Sequence, residues 1–351
     1  MLPKAEEQLD FLQKIHLILE TGNTTSTYKF ALLLAITNLA IIQGEDNNNT
    51  LTLSYNDIAE QFIIQYWKQS LPFEYVEKKG FVLQQNTGKQ IVIIQDIQKL
   101  ICKYPTLSKA MKSIEWNNLI QKAARTIKTY PARFLQNIEG QSFNFLYTWQ
   151  ATGTHLQLNK NIMYCLRQFN YIIRQLVQKK WADFVCKLPK NKEILKDQHD
   201  IQMFLFDEQR TSLKKVSDIY MELQNNCCFY CQQKINGIAE VDHFIPWSYY
   251  QQDTLHNFVI ADKKCNGAKS NFLADPQLLR KWLERNKKYG DTIHSASEDI
   301  GIISNLETTI NIAQWAYQRA INNEALVWTP PKELVQLNID NGRDTIQEYF
   351  Q

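Results

Sequence analysis

Between Cys228 and Ser270 the chain gathers residue types that can act on a phosphate ester. Cys228-Phe-Tyr-Cys231 has the spacing of a metal knuckle. Val241-Asp242-His243-Phe-Ile-Pro246 reads as a strand ending in an acid and a histidine, with a proline at its exit. Leu255-His-Asn257-Phe-Val-Ile260 reads as a second strand, and Asp262-Lys-Lys-Cys265-Asn266-Gly-Ala-Lys269-Ser270 as the start of a helix. Hydrolysis of a phosphodiester needs a base for water, a divalent cation on the phosphate and a means of holding the base. His243 titrates in the range of a general base near neutral pH. Asp242 and the side-chain oxygen of Asn266 are hard donors, suited to Mg²⁺ or Mn²⁺ more than to Zn²⁺. Asn266 and Lys269 stand three apart on the expected helix, so both can face one phosphate. Adjacent strand residues face opposite ways, so the strand must end or twist at Asp242-His243 for both to serve one site.

The order of these pieces, Asp-His, a later Asn and then Asn-x-x-Lys, resembles the HNH (ββα-metal) endonuclease motif. It is most similar to the HNH domain of RNA-guided CRISPR effector nucleases, and no other part of the chain resembles those enzymes. The resemblance covers 227–273. It implies that His243 is the general base, that Asp242 and Asn266 hold a catalytic Mg²⁺ or Mn²⁺, that Asn257 pins the loop orienting His243, and that Lys269 lies near the phosphate. Many such domains carry two CxxC pairs around a structural zinc. Here the second pair reads Asp262-x-x-Cys265, leaving Cys228, Cys231, Asp262 and Cys265 as a Cys₃Asp set that zinc would accept. Cys227 or His256 could stand in for a ligand, or the cysteines could pack as small buried hydrophobes.

These residues need elements to position them. A length of 351 residues suggests two domains at about 150 residues each, and a hydrophobic fraction of 44% can build their cores. The expected class is α+β and mostly helical. A helical binding or regulatory region, 1–196, precedes a nuclease region with flanking helices, 197–351. Tyr28 to Ile42 is apolar nearly all round and reads as a core helix, and Ser54 or Asn56 can cap a helix through Trp67. Residues 81–94 alternate around Asn86-Thr87-Gly88 as a candidate β-hairpin, which with the preceding helices suggests a winged-helix-like unit. Asn159 to Leu188 reads as one long helix and Pro189 to Lys192 as a linker.

Charge is uneven: from Gln121 to Lys196, thirteen lysines and arginines face only Glu139, Asp183 and Glu193. Lys160, Arg167 and Arg174 recur every seven residues, as an outer face for nucleic acid would. No apolar run reaches the roughly 18 residues of a membrane span. Seven cysteines, four of them between Cys227 and Cys265, fit a reducing compartment. A soluble, cytoplasmic protein is therefore expected. The leading expectation for function is a metal-dependent DNA endonuclease, which the resemblance places near bacterial restriction or anti-phage effectors. It would work with a protein partner, a regulatory subunit or a second copy of itself, and without a membrane. The alternatives are a non-catalytic zinc-knuckle module that binds nucleic acid or a partner, and a nuclease acting on structured RNA.

Overall fold

In the computed structural model, residues 2–21, 24–73, 80–138, 140–195, 201–206, 213–337 and 344–350 are described. Two compact units divide the chain, Met1–Glu208 and Gln209–Gln351. The boundary expected at 196 to 197 lies outside the described residues.

The first unit is built around its most apolar helix. Helix α1 (Ala5–Thr21) leads to α2 (Tyr28–Gln43), in which every residue from Phe30 to Ile41 is buried. Strand β1 (Leu51–Ser54) runs directly into α3 (Tyr55–Gln69), where the Ser54 hydroxyl accepts from the Asp57 amide at 3.0 Å and caps the first turn. Then come α4 (Val92–Lys103), α5 (Leu107–Met111), α6 (Ile114–Thr129) and α7 (Pro131–Phe134). A minimal hairpin of β2 (Asn137–Ile138) and β3 (Gln141–Ser142) precedes β4 (His155–Leu158), which pairs antiparallel with β1 from Leu51↔Leu158 to Ser54↔His155. Helices α8 (Ile162–Gln168), α9 (Asn170–Lys187), α10 (Pro189–Leu195) and α11 (Ile201–Phe206) complete it.

Three expectations for this unit change. Residues 81–90 form no strand pair of their own: they bend at 87–89 and make one bridge, Ser26↔Asn86, and the chain then enters α4, so neither the hairpin nor the winged-helix arrangement forms. Side chains do what a partner strand would have done. Asn191 accepts from the Gln84 amide at 2.8 Å and donates to the Gln84 carbonyl at 2.9 Å, while Gln90 accepts from the Gln85 amide and donates to the Leu83 carbonyl. The long helix is two, broken at Phe169, and Pro189 opens α10 instead of a linker.

The break at Phe169 also overturns the expected outer face. Arg167 is buried: its Nε pairs with Asp46 at 2.6 Å and its Nη1 donates to the carbonyls of Ala40, Ile41 and Gly44, completing the C-terminus of α2. Arg174 is buried too and donates to Asn38 Oδ1 inside the core. Only Lys160 of the three is exposed. Lys122, Lys179 and Lys180 pair with Asp96, Asp183 and Glu20, so the basic run is not one open face. Trp116 and Trp181 are core residues.

In the second unit, α12 (Leu213–Leu223) precedes the knuckle. Strands β5 (Glu240–His243) and β6 (Phe258–Ala261) pair antiparallel, from Glu240↔Ala261 to His243↔Phe258, and α13 (Lys263–Lys269) follows at once. The order β5, β6, α13 is the ββα arrangement. Behind it runs α14 (Pro276–Ile300), capped by Asp275, with the Trp282 ring stacked on Phe244 at 4.9 Å. Then follow α15 (Leu306–Asn322), the hairpin β7 (Leu326–Thr329) and β8 (Glu333–Gln336), and α16 (Asp344–Tyr349). Among the described residues no helix is long and apolar enough to cross a membrane.

Candidate active site and metal knuckle

Strand β5 stops at His243 because the chain beyond it is held by side chains rather than by a ladder. The Phe244 amide still donates to the Asn257 carbonyl at 2.8 Å. From there the Asn257 side chain takes over. Its Oδ1 accepts from the Ile245 amide at 2.8 Å and its Nδ2 donates to the Ile245 carbonyl at 2.9 Å. Both residues are buried, so this exchange satisfies backbone groups that would otherwise have no partner.

His243 lies between the rings of Trp247 and Phe258, with centroids at 5.5 and 4.8 Å, and its Nε2 meets Oδ1 of the buried Asp253. In the neutral imidazole that contact puts the proton on Nε2 and leaves Nδ1 as the basic nitrogen. Burial, and secondarily the charge of Lys269, push the His243 pKa down to about 4. The Asp253 carboxylate acts the other way, favouring an imidazolium once one forms. A side chain that is neutral at pH 7 and fixed by an acid is prepared to accept a proton.

Asp242 has contacts of its own. Its Oδ2 accepts from the Tyr230 hydroxyl and lies 3.0 Å from the Lys269 ammonium. Lys269 is fully buried and also donates to the His243 carbonyl at 2.9 Å. Burial lowers its pKa against the opposing pull of Asp242. The structure thus places Lys269 inside the site, joining the end of β5 to α13, and not on an open phosphate-facing surface. Asn266 donates through Nδ2 to Glu240 Oε2 at 2.7 Å, which leaves its Oδ1 as the donor atom available to a cation. Lys269 links Asp242 to the backbone of His243, whereas Asn266 is tied to the strand through Glu240.

Three residues of this arrangement were missed in the sequence. Glu240 stands two before Asp242, on the same face of β5 by the period of a strand, and that spacing could have flagged it. Tyr230, inside the knuckle, had no such signal. Neither had Asp253, which sits in the loop between the strands.

The knuckle brings Cys228 Sγ, Cys231 Sγ, Cys265 Sγ and an Asp262 carboxylate oxygen within 4.8 Å of one another. The two oxygens of Asp262 have separate tasks. Oδ1 accepts from the amides of Lys264 and Cys265 and caps α13, while Oδ2 faces Cys231 Sγ at 3.2 Å. Burial opposes the Asp262 carboxylate, but the Cys265 amide and the thiols of Cys228, Cys231 and Cys265 outweigh it and hold its pKa below the usual range. Burial pushes the Cys228 thiol up to about 11 and raises Cys265 as well. Sulfur-rich, tetradentate and drawn together, the set fits zinc, whose binding would turn these thiols into thiolates. Neither stand-in takes part: Cys227 Sγ faces the Asn225 carbonyl at 3.4 Å, and His256 Nε2 meets Ser304 Oγ at 2.9 Å.

Comparison with known families finds a match in each unit. Residues 8–205, more than half of the chain, match the family described as a domain of unknown function, DUF8808, and residues 228–274 match HNH endonuclease. The chain belongs to the DUF8808 family and carries an HNH endonuclease domain. No curated protein and no solved structure matches it. The HNH domain spans the knuckle, both strands and α13.

Proposed function

We propose that the HNH domain hydrolyses phosphodiester bonds of DNA with a divalent cation. The observation that carries this reading is the half-buried His243 held through Nε2 by Asp253, beside Trp247 and Phe258 and at the end of the strand that also bears Asp242. His243 Nδ1 takes the proton of the attacking water, and Asp253 stabilises the imidazolium that results. Asp242 and Asn266 supply hard oxygens for Mg²⁺ or Mn²⁺, which when bound would act as a Lewis acid on the scissile phosphate and stabilise the leaving oxygen. Tyr230 and Lys269 orient the Asp242 carboxylate, Glu240 orients the Asn266 amide, and Asn257 fixes the turn behind His243. Cys228, Cys231, Asp262 and Cys265 would hold a zinc ion that, when bound, would tie the start of α13 to the knuckle. One such site cuts one strand at a time, so a double-strand break needs two nicks or two copies of the chain. Defence against foreign DNA is the setting in which such an enzyme would fit.

The test is cleavage of supercoiled plasmid by the full chain with Mg²⁺, with Mn²⁺ and with EDTA, beside His243→Ala. Metal-dependent nicking that disappears in the variant supports the reading. Equal activity of the two proteins refutes it. Cleavage confined to a structured RNA offered in parallel would move the substrate to RNA.

A further inference from the structure

The first unit contains a cavity of about 610 Å³ far larger than a packing defect and within the range of small-ligand sites. Its walls differ in chemistry. Lys29, Lys89, Asn86 and the hydroxyls of the 24–26 segment line it together with Tyr130, at the end of α6, and Phe134 of α7. Among the described residues none of the lining is acidic, and Lys89 has no carboxylate partner. Tyr130 and Phe134 are 59% and 50% exposed, so two rings face solvent at the cavity instead of serving the core. Helices α2 and α4 both begin there, and neither has a side-chain cap. The Thr27 hydroxyl, at the start of α2, shares a hydrogen bond with the Tyr66 hydroxyl instead, and Ile91 precedes α4. Both positive helix ends add to the field of the lysines. The Lys29 ammonium donates to the Ile18 carbonyl at 3.3 Å, and burial and the neighbouring Lys180, against the pull of Glu20, lower its pKa to about 8, which leaves it mostly charged at pH 7.

Cations and hydroxyls without a carboxylate suit phosphate, and exposed rings beside them suit a flat base. We infer that this cavity binds a nucleotide, its phosphate at Lys29 and Lys89 and its base against Tyr130 and Phe134. Two sources share that chemistry: a free nucleotide, or a nucleotide of a single strand lying over the unit. The inference concerns the DUF8808 unit alone and stands apart from the chemistry of the HNH domain.

The experiment uses the full chain and two exposed-site variants, Lys89→Glu and Phe134→Ala, whose folding is checked by circular dichroism. AMP, ATP and inorganic phosphate are titrated by calorimetry. A labelled twelve-residue oligothymidylate is titrated by fluorescence anisotropy without added divalent metal. Binding of AMP or ATP that weakens about tenfold in each variant supports a free-nucleotide site. Oligothymidylate binding weakened to the same degree, with no uptake of mononucleotides, supports the strand as the source. Phosphate binding as tightly as ATP with no effect of Phe134→Ala overturns the assignment, as does binding of every probe that neither variant changes.

Discussion

Replacing Asn257 by alanine tests how the catalytic turn is held. The substitution removes both bonds to Ile245, whose amide and carbonyl lie in a residue only 1% exposed. Each buried backbone group left unpaired costs about 1–3 kcal/mol, so local opening of the turn should become easier by about 2–6 kcal/mol. Taking about 3 kcal/mol, amide exchange of the turn should accelerate roughly a hundredfold. Hydrogen exchange followed by mass spectrometry reads this directly in peptides covering 241–250, with peptides from α2 as the internal control. Because Ile245 is two residues beyond His243, plasmid nicking should fall at least tenfold in the same variant. Asn257→Asp keeps an acceptor for the Ile245 amide but sets a second oxygen against its carbonyl, and should give a loss in exchange protection comparable to that of alanine. Unchanged exchange in 241–250 together with nicking within twofold of the parent protein would refute the reasoning, since the turn would then be held by other contacts.

His256 is buried and its pKa is pushed down to about 4, by burial first and then by Arg285 and His294. Its folded value lies below the unfolded one near 6.5, so its contribution to stability is whole above pH 6.5 and is lost as pH falls towards 4, by about 3 kcal/mol. Urea unfolding at pH 7 and pH 4.5 should show a drop that His256→Gln reduces; an equal drop in both proteins would dismiss the assignment. In the knuckle, Asp262→Ala should lose zinc as measured by elemental analysis, whereas Asp262→Cys should keep it, both at a cost of about 1 kcal/mol from the lost cap of α13. Zinc retained in full by Asp262→Ala would remove Asp262 from the ligand set. Arg167→Met should destabilise the first unit by about 3–5 kcal/mol in urea unfolding while leaving DNA affinity unchanged. Weaker DNA binding by a stably folded variant would return Arg167 to the surface role first expected from the sequence.

What could be read in the sequence follows the range of the interactions involved. Alternation and spacing are local, so Val241 to His243 and the Cys265 to Lys269 helix stand where the pattern puts them, whereas Leu255 to Asn257, expected in the second strand, form a 3-10 turn and the strand begins at Phe258. The core helix α2 and the Ser54 cap were legible for the same reason. Partners were not. That His243 meets Asp253, Asn266 meets Glu240 and Lys269 turns inward to Asp242 depends on how the loop between the strands folds back, which no periodicity encodes. The basic run misled because charge in a sequence carries no sign of burial. Arg167 and Arg174 keep a heptad spacing across a helix break and serve carbonyls and an amide oxygen of α2. At 81–94 the alternation was present, but Gln84, Gln90 and Asn191 satisfied the extended backbone that a second strand would have paired.

The C-terminus of α2 has a consequence for synthesis on the ribosome. This helix has no basic residue in its own last turn, and the carbonyls of Ala40, Ile41 and Gly44 wait for Arg167. Strand β1 likewise waits for β4, with Leu51 opposite Leu158. A nascent chain therefore presents its most apolar helix early, while the residues that finish and cover it are still untranslated. Such a chain is exposed to aggregation over most of the first unit's synthesis and acquires its fold late, in one step. Translation speed and holding chaperones should accordingly govern the yield of this protein more than the final stability of either unit.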